Sequence, residues 1–285
     1  MIYISADDYG LSDTAASRIE TCIENGYLNK ISVLPNGVVP DFKERLSKTD
    51  SVLSLHLNLV EGQAVSKPEN LGLLVSENGY FKHSFEGLLA LSLSPKREAF
   101  RRQIKTEIKA QIALWQEMYS QDTPMVLDSH QHTHMIPMIF ATLMEIIREE
   151  NIAVQYLRIP TEPILPYLLT PSLYLTYHPV NLIKQWFLNI LGAVNKKTFL
   201  ESRIKTAYFM GILFSGHMDE KRVKKILPKY QRLAEKKHMD IELLFHPGYM
   251  HLGEQVLDVY KTEFHRFYFS KGRKVEYDAV MHLDL

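Results

Sequence analysis

Short apolar runs alternate along the chain with longer segments in which apolar residues recur at helical spacing. Seven of the short runs have the composition of β-strands, at residues 2–6, 30–34, 52–59, 125–128, 153–159, 207–214 and 241–245. Helical spacing predicts helices at residues 14–25, 97–119, 137–151 and 222–238. Strands that alternate with helices are typical of a parallel sheet, and seven of them favour an α/β fold of the (β/α) barrel type, TIM-like or a variant of it.

One region departs from this pattern, because residues 163–183 contain no Asp, Glu, Lys or Arg. Four prolines, at positions 163, 166, 171 and 179, argue against a continuous membrane-spanning helix, so we expect no transmembrane segment. We interpret about 163–200 as an apolar insert or lid within a single domain that spans residues 1–285. An exposed apolar surface for a partner, a lipid-like substrate or a dimer contact is the alternative.

Composition narrows the class of protein. Lys and Arg number 33 and so do Asp and Glu, and this balance argues against a nucleic-acid partner. The single cysteine, Cys22, excludes an intrachain disulfide and a cysteine-based zinc site. A reducing, cytoplasmic location is the simplest expectation, because the first residues also lack the features of a secretory signal. A homodimer is the default expectation for the assembly.

Polar residues follow the first predicted strand and line one face of the third. Asp7 and Asp8 come directly after residues 2–6, and burial of unpaired carboxylates is costly. The carboxyl end of a barrel strand is where active sites are built, although a helix cap or an Asx turn is the structural alternative. In the third strand Ser54, His56 and Asn58 alternate with leucines, so one face of this strand is polar. A hydrogen-bonded core histidine is the alternative for His56.

The fourth predicted strand is followed by Asp128-Ser-His130-Gln-His132-Thr-His134. In an extended segment the three histidines share one face, and in a helix His130 and His134 lie one turn apart. Either geometry directs two imidazoles at one metal ion, and neutral imidazole is a good zinc ligand. The cluster therefore predicts a metal site, without requiring that all three histidines bind the ion.

Two further strands end in residues that could take part in catalysis. Arg158 comes at the end of the fifth strand, and His246 follows the seventh in a His-Pro-Gly sequence. The alternatives are a salt bridge for Arg158 and a loop histidine that caps a carbonyl group for His246.

These side chains suit a metal-assisted hydrolysis. Two histidines and one carboxylate leave coordination positions open for water and for a substrate oxygen. A second carboxylate can act as the base and a histidine on the opposite side as the acid. Hydrolysis of an amide or ester uses all of these parts. Two alternatives remain: a non-heme iron oxygenase with the same two-histidine, one-carboxylate set, and a non-catalytic sugar-binding protein.

Four sequence elements together resemble the YdjC-like carbohydrate deacetylases, which include chitooligosaccharide deacetylases and hopanoid-biosynthesis deacetylases. The elements are Ala6-Asp7-Asp8-Tyr9-Gly10, His56-Leu57-Asn58, the segment from Asp128 to His134, and His246-Pro247-Gly248. The likeness is best up to Pro160, and Tyr9 stands where the family usually has Phe.

The resemblance implies a distorted (β/α) barrel related to polysaccharide deacetylases. It implies one divalent metal ion on Asp8, His56 and His130, with Asp7 as the base and His246 as the acid. The residues expected to support the site or contact the substrate are His132, His134, Arg158 and Asn58. His134 remains a rival third ligand, because the wider group often uses a His-x3-His pair.

The resulting hypothesis is a metal-dependent hydrolase that removes N-acetyl groups from amino sugars or oligosaccharides and releases acetate. Zinc or magnesium is the expected ion, and manganese or cobalt also suits a mixed nitrogen and oxygen ligand set. The expected partner is a small carbohydrate, either free or lipid-linked.

Overall fold

In the computed structural model, which describes residues 1–251, 253–257, 261 and 266–285, seven parallel strands form one sheet. The strands are β1 (Ile2–Tyr9), β2 (Lys30–Val33), β3 (Val52–Leu57), β4 (Met125–Ser129), β5 (Val154–Leu157), β6 (Ala207–Met210) and β7 (Asp240–Phe245). Their order across the sheet is β5-β4-β3-β2-β1-β7-β6. Each strand overlaps a predicted run, so the α/β class is confirmed. β1 extends beyond its prediction to include Asp7 and Asp8, and β6 ends at Met210, four residues before the end of its predicted run.

The sheet curls so that its two edges approach each other. Tyr156 of β5 forms an isolated parallel bridge with Lys205, just before β6, and the Leu157 amide donates to the Lys205 carbonyl at 3.0 Å. A curled parallel sheet of this kind fits a distorted barrel.

Helices cover the outside of the sheet. They are α1 (Asp13–Asn25), α2 (Phe42–Arg45), α3 (Phe85–Ser92), α4 (Arg97–Met118), α5 (Pro137–Glu149), α6 (Leu165–Leu168), α7 (Pro179–Ser202), α8 (Glu220–Lys237) and α9 (Lys271–His282). Short 3-10 turns lie at Pro68–Asn70, His130–Met135 and Pro171–Thr176. The four predicted helices correspond to α1, α4, α5 and α8, and Ser12 caps α1 by accepting a hydrogen bond from the Ala15 amide at 3.0 Å.

The two faces of the sheet differ in polarity. Apolar strand residues such as Ile31 and Leu55 are buried in one core with Ile104, Ile108 and other residues of the covering helices. The alternate strand positions are also buried, but they are polar and contact one another: Ser5, Lys30, Ser32, Ser54, His56, Asp128, Tyr156, Arg158 and Glu242. The period of two in β3 therefore separates the helix-facing core from a polar interior, as the sequence predicts.

The predicted apolar insert consists of α6, the Pro171–Thr176 turn and most of α7. Its start is anchored by the buried carboxylate of Glu162, which accepts hydrogen bonds from the Ile212 and Leu213 amides at 2.9 Å each. At its other end Asn195 donates to the Met135 carbonyl at 2.8 Å. None of the helices in the described ranges combines the length and the apolar character needed to cross a bilayer.

Candidate metal centre

Asp7 and Asp8 lie in the last residues of β1, where the strand is irregular. The pairing of β1 with β2 shifts between Ala6 and Tyr9, and Asp8 has a positive φ of 70°. A left-handed non-glycine residue is uncommon, and here it breaks the alternation of faces. As a result both adjacent carboxylates approach the same imidazole: His56 Nε2 lies 3.9 Å from Asp7 Oδ2 and 3.6 Å from Asp8 Oδ1.

His56 is oriented by the carboxylate behind it. Its Nδ1 lies 2.7 Å from Asp128 Oδ1, while its Nε2 is buried and makes no hydrogen bond to any residue that the structure describes. Burial disfavours a charged imidazole, but Asp7, Asp128 and Asp8 outweigh it and raise the pKa of His56. A carboxylate on one ring nitrogen and an open position on the other is the usual arrangement of a metal-binding histidine.

His130 begins the 3-10 turn that follows β4. Gln131 and His132 have φ values of 52° and 56°, so the segment is neither the extended strand nor the regular helix that the sequence analysis weighed. His130 Nδ1 lies 2.8 Å from Asp8 Oδ1, and its Nε2 lies 3.0 Å from Glu61 Oε1. Burial opposes the charge on this ring, but Glu61 and Asp8 outweigh it and raise the pKa of His130 to about 10.

Asp8, His56 and His130 are all buried and offer ligand atoms that lie within 4.8 Å of one another. The unpartnered His56 Nε2 belongs to this group, which is what a site for a divalent ion requires. A second group, Asp7, His56 and Asp128, meets the same distance criterion.

The second group is less suited to a metal ion, because Asp128 is already occupied. Its Oδ2 accepts hydrogen bonds from Lys30 and Ser32 at 2.7 Å and from Ser54 at 2.9 Å. Burial raises the pKa of Asp128, but Arg158 and Lys30 outweigh it and hold this pKa well below its usual range. The hydrogen bonds already made by Asp128 therefore favour the group of Asp8, His56 and His130 as the metal site.

Asp7 forms a bidentate salt bridge with a buried arginine. Arg158 Nη1 donates to Asp7 Oδ2 at 2.7 Å and Nη2 donates to Asp7 Oδ1 at 2.9 Å, which is the bidentate geometry of strong arginine–carboxylate pairs. Arg158 Nε donates to Glu242 Oε1 at 2.9 Å. The position of the Asp7 carboxylate is thus fixed beside Nε2 of His56.

His246 lies at the end of β7, in a partly exposed position. Its backbone amide donates to Glu276 Oε2 at 2.6 Å, and its Nδ1 lies 3.3 Å from the same oxygen. The ring meets the Phe267 ring edge-on at 5.5 Å between centroids. A side chain that is 14% exposed is held in place while still accessible to a ligand.

The other histidines of the cluster have different surroundings. Both nitrogens of His134 are engaged, with Ser129 Oγ at 2.6 Å and the Arg158 carbonyl at 2.8 Å, and burial lowers the pKa of His134 to about 4. His134 belongs to neither group of potential ligands found among the described residues. His132 Nδ1 is buried without a hydrogen-bond partner in the described chain, and its ring meets Phe209 edge-on at 5.7 Å.

The side chain of Asn58 builds a turn after β3. Its Oδ1 accepts hydrogen bonds from the Val60 and Glu61 amides at 3.1 Å each, and its Nδ2 donates to the Glu61 carbonyl at 2.8 Å. This turn positions the Glu61 carboxylate against His130.

Three residues of the site escaped the sequence analysis. Glu61 accepts hydrogen bonds from Tyr268 and contacts His130, Arg273 donates to Asp8 Oδ2, and Glu276 contacts His246. Burial raises the pKa of Asp8, but His130 and Arg273 outweigh it and hold this pKa well below its usual range. Glu61 comes four residues after β3, and its place just beyond a strand with a polar face is a signal that could have found it. Arg273 and Glu276 lie in a C-terminal helix that no motif distinguishes.

Comparison with known proteins gives a consistent family relationship. A sequence model of the YdjC-like protein family matches residues 1–285. The carbohydrate deacetylase of Thermoanaerobacter pseudethanolicus is 27% identical over 204 residues, which cover 69% of this chain and 77% of that protein. The carbohydrate deacetylases of Danio rerio and Mus musculus are 26% and 27% identical over 163 and 165 residues. These matches cover 57% and 56% of this chain, and 50% and 51% of the vertebrate proteins, so the chain spans about half of their length.

Among solved structures, a protein from Enterococcus faecalis V583 described as a putative cellobiose-phosphate cleavage protein has a similar fold. The TM-score is 0.65 at 16% sequence identity, and the match covers 98% of this chain and 90% of that one. At this identity the likeness shows a shared fold alone.

Proposed function

Because the chain belongs to the YdjC-like family over its whole length, we propose that it is a metal-dependent carbohydrate N-deacetylase. The observation that supports this most directly is the convergence of Asp8, His56 and His130, with the open His56 Nε2 beside a second carboxylate, Asp7. Three proteins that are similar in sequence to this chain are named carbohydrate deacetylase.

Asp8, His56 and His130 would bind one divalent ion, zinc or magnesium, with manganese or cobalt as further candidates. Such an ion supplies a water of lowered pKa and polarises the substrate carbonyl. Asp128 and Glu61 hold the far nitrogens of the two histidines and so set the orientation of both rings.

Asp7 is proposed as the general base. Arg158 fixes its carboxylate through two hydrogen bonds, and the nearest ring nitrogen is His56 Nε2 at 3.9 Å. A carboxylate in this position can take the proton of the attacking water. Asp7 also has an electrostatic role, because its negative charge and the positive charge of Arg158 form an ion pair beside the site.

His246 is proposed as the general acid. Its ring is partly exposed and is oriented by Glu276, as a group that donates a proton to a departing amine must be. Water adds to the acetamide carbonyl, the C–N bond breaks, and the amine nitrogen takes a proton, so the products are acetate and the free amino sugar.

The substrate is proposed to be a small N-acetylated sugar or oligosaccharide, free or lipid-linked. We assign His132 to substrate contact, and His134, Asn58 and Arg158 to support of the site. The relation of the curled sheet to the barrel of polysaccharide deacetylases, the cytoplasmic location and a homodimeric state belong to the same proposal.

Acetate release from a panel of N-acetylglucosamine oligosaccharides tests this function. Asp7→Asn preserves the size of the side chain and is expected to lower kcat by about 10² to 10⁴-fold, the usual contribution of a general base. Asp8→Ala is expected to abolish both metal binding and activity. The control is Asp122→Asn, at an exposed position outside the site, which should leave the rate unchanged. Full activity in both site variants would exclude the proposed chemistry.

The oxygenase alternative uses the same three ligands but gives Asp7 and His246 no role. Oxygen consumption with added ferrous iron and a 2-oxo acid distinguishes the two chemistries. We expect none.

A further inference from the structure

Helix α7 differs from an ordinary surface helix, because it buries polar side chains beside Leu188 and Leu191. The residues that it buries include three amides, Asn181, Gln185 and Asn195, each of which donates to a backbone carbonyl of a neighbouring segment. A helix on the surface of a globular protein normally buries an apolar stripe and exposes a polar one. Here the inner face is anchored by hydrogen bonds, so its outer face need not be polar.

The outer face of α7 is apolar. Val180, Ile183, Trp186, Ile190 and Val194 are exposed by 61%, 66%, 64%, 39% and 59%. Steps of three and four residues place these five side chains, the apolar stripe of α7, on one side of the helix. Five large apolar side chains in one row are more than the scattered exposed residues of a monomer surface, and they indicate a docking surface.

The charges around this stripe are mainly positive, with the exposed Glu201 near the end of α7 as the exception. Residues 163–200 contain Lys184, Lys196 and Lys197 but no Asp or Glu. All three lysines are exposed, and Lys225 of α8 donates to Ser172 Oγ in the same insert at 3.1 Å. The partner that suits this surface is therefore apolar within and anionic at its boundary.

A bilayer fits this description better than a second copy of the chain. A two-fold contact would set each patch against itself, and α7 offers one carboxylate, Glu201, against three opposing lysines, so positive charge would remain uncompensated. Anionic phospholipid headgroups do neutralise them, and tryptophan is favoured at the level of the headgroups. Helices with this combination lie in the plane of the membrane surface.

We propose that the apolar stripe of α7 docks the protein on the surface of an anionic phospholipid bilayer as a peripheral contact. The docked helix also packs against the turn of the metal centre, since Asn195 donates to the Met135 carbonyl at 2.8 Å at the end of the His130–Met135 turn. The proposal concerns binding and is independent of the proposed deacetylation.

Vesicle sedimentation tests the docking with the full-length protein. With vesicles of phosphatidylcholine and phosphatidylglycerol at 3:1, most of the protein is expected to sediment, and binding to pure phosphatidylcholine should be at least fivefold weaker. Trp186 provides a second readout, because Trp115 is buried at 2% exposure. Its emission should shift to shorter wavelength with anionic vesicles, and Trp186→Phe should remove this shift while the protein still sediments.

Variants separate the stripe from nonspecific adsorption. Ile183→Asp combined with Val194→Asp is expected to lower the partition coefficient at least tenfold, with circular dichroism confirming the fold. Leu93→Asp, at a residue that is 78% exposed outside the insert, is the matched control and should bind like the unchanged protein. Lys196→Glu with Lys197→Glu should remove the preference for anionic vesicles.

Two results would overturn the proposal. One is the absence of sedimentation and of a Trp186 shift at both lipid compositions. The other is a concentration-dependent dimer in analytical ultracentrifugation that Ile183→Asp dissociates, in a protein that does not bind vesicles, since the stripe would then serve a second copy of the chain.

Discussion

Each candidate metal ligand has a neighbour that fixes its orientation. Asp128 lies against His56 Nδ1, Glu61 against His130 Nε2, and Arg273 against Asp8 Oδ2. Partners of this kind hold the rings and carboxylates in place before an ion arrives, so less ordering is needed on binding. At the scale of single residues the site thus consists of three candidate ligands and three residues that orient them.

Glu61→Gln should lower the affinity for the metal ion about 10 to 100-fold, the usual effect of removing a carboxylate that supports a ligating histidine. The physical reason is that glutamine cannot hold the His130 Nε2 proton as strongly. Competition with a chromogenic chelator measures the affinity. Glu77→Gln, at an exposed position of the same loop, is the control, and equal affinities for both variants would contradict the role of Glu61.

Glu242 predicts an acid-dependent loss of stability. Burial raises its pKa, but Arg158 and Lys30 outweigh it and lower the pKa of Glu242 from 4.5 to about 2. A depressed pKa in the folded state stabilises the protein above the unfolded value, and this stability is lost as the pH falls from about 4.5 towards 2. The difference corresponds to roughly 3 kcal/mol.

Urea unfolding between pH 7 and pH 3 tests this prediction. The free energy of unfolding should decrease with falling pH, and Glu242→Gln should be less stable at pH 7 and less sensitive to acid. Glu235→Gln, at an exposed position, should keep the original pH dependence. An unchanged dependence in Glu242→Gln would mean that this carboxylate is not the titrating group.

At the scale of elements, α9 connects the end of the chain to the metal centre. Its Arg273 contacts Asp8 and its Glu276 contacts both His246 and the Gly216 amide, the latter at 2.6 Å. The helix can lie this close because Gly272 has no side chain: a Cβ there would be 2.4 Å from the Gly216 carbonyl oxygen and 3.0 Å from its Cα.

Gly272→Ala should therefore destabilise the fold by about 1 to 3 kcal/mol, the cost of overpacking, and should lower acetate release because Arg273 and Glu276 move with the helix. Thermal unfolding and the acetate assay measure the two effects. Gly72→Ala is the matched control, because a Cβ at Gly72 meets nothing within 4 Å. If both variants behave alike, the close approach of α9 has no structural importance.

At the scale of the whole molecule, one continuous core runs from Ile4 to Leu283. It includes residues from both edges of the sheet and from the insert, such as Leu157, Leu188 and Phe209. We therefore expect the chain to unfold as a single cooperative unit, as the assignment of one domain to residues 1–285 predicts.

Calorimetry with and without metal tests both the domain and the site. One transition is expected, and zinc at 100 times its Kd should add about 2.7 kcal/mol to the free energy of unfolding, since the ion binds the folded state. EDTA should reverse this gain, and His56→Ala should not show it. Two separated transitions would contradict the single domain, and an equal zinc effect in His56→Ala would contradict the ligand set.

The sequence by itself determined the seven strands and the placement of Asp7, Asp8, His56, His130 and His246 at or beside the ends of strands. These follow from local pattern, because strand periodicity is a property of neighbouring residues and parallel strands bring their carboxyl ends to one edge. The conformation of the His130–Met135 turn did not follow, because two consecutive left-handed residues are not encoded by any local preference of Gln131 and His132.

Only the tertiary structure decided which residues surround the ligands and which face of α7 is exposed. Arg273 is 265 residues from Asp8 in sequence, and Glu61 is 69 residues from His130, so packing alone brings them together. The burial of amides on α7 likewise depends on the carbonyl groups that Asn181, Gln185 and Asn195 contact in other segments. Long-range contacts of this kind leave no periodic pattern in the sequence, because they form only when the folded sheet brings distant segments together.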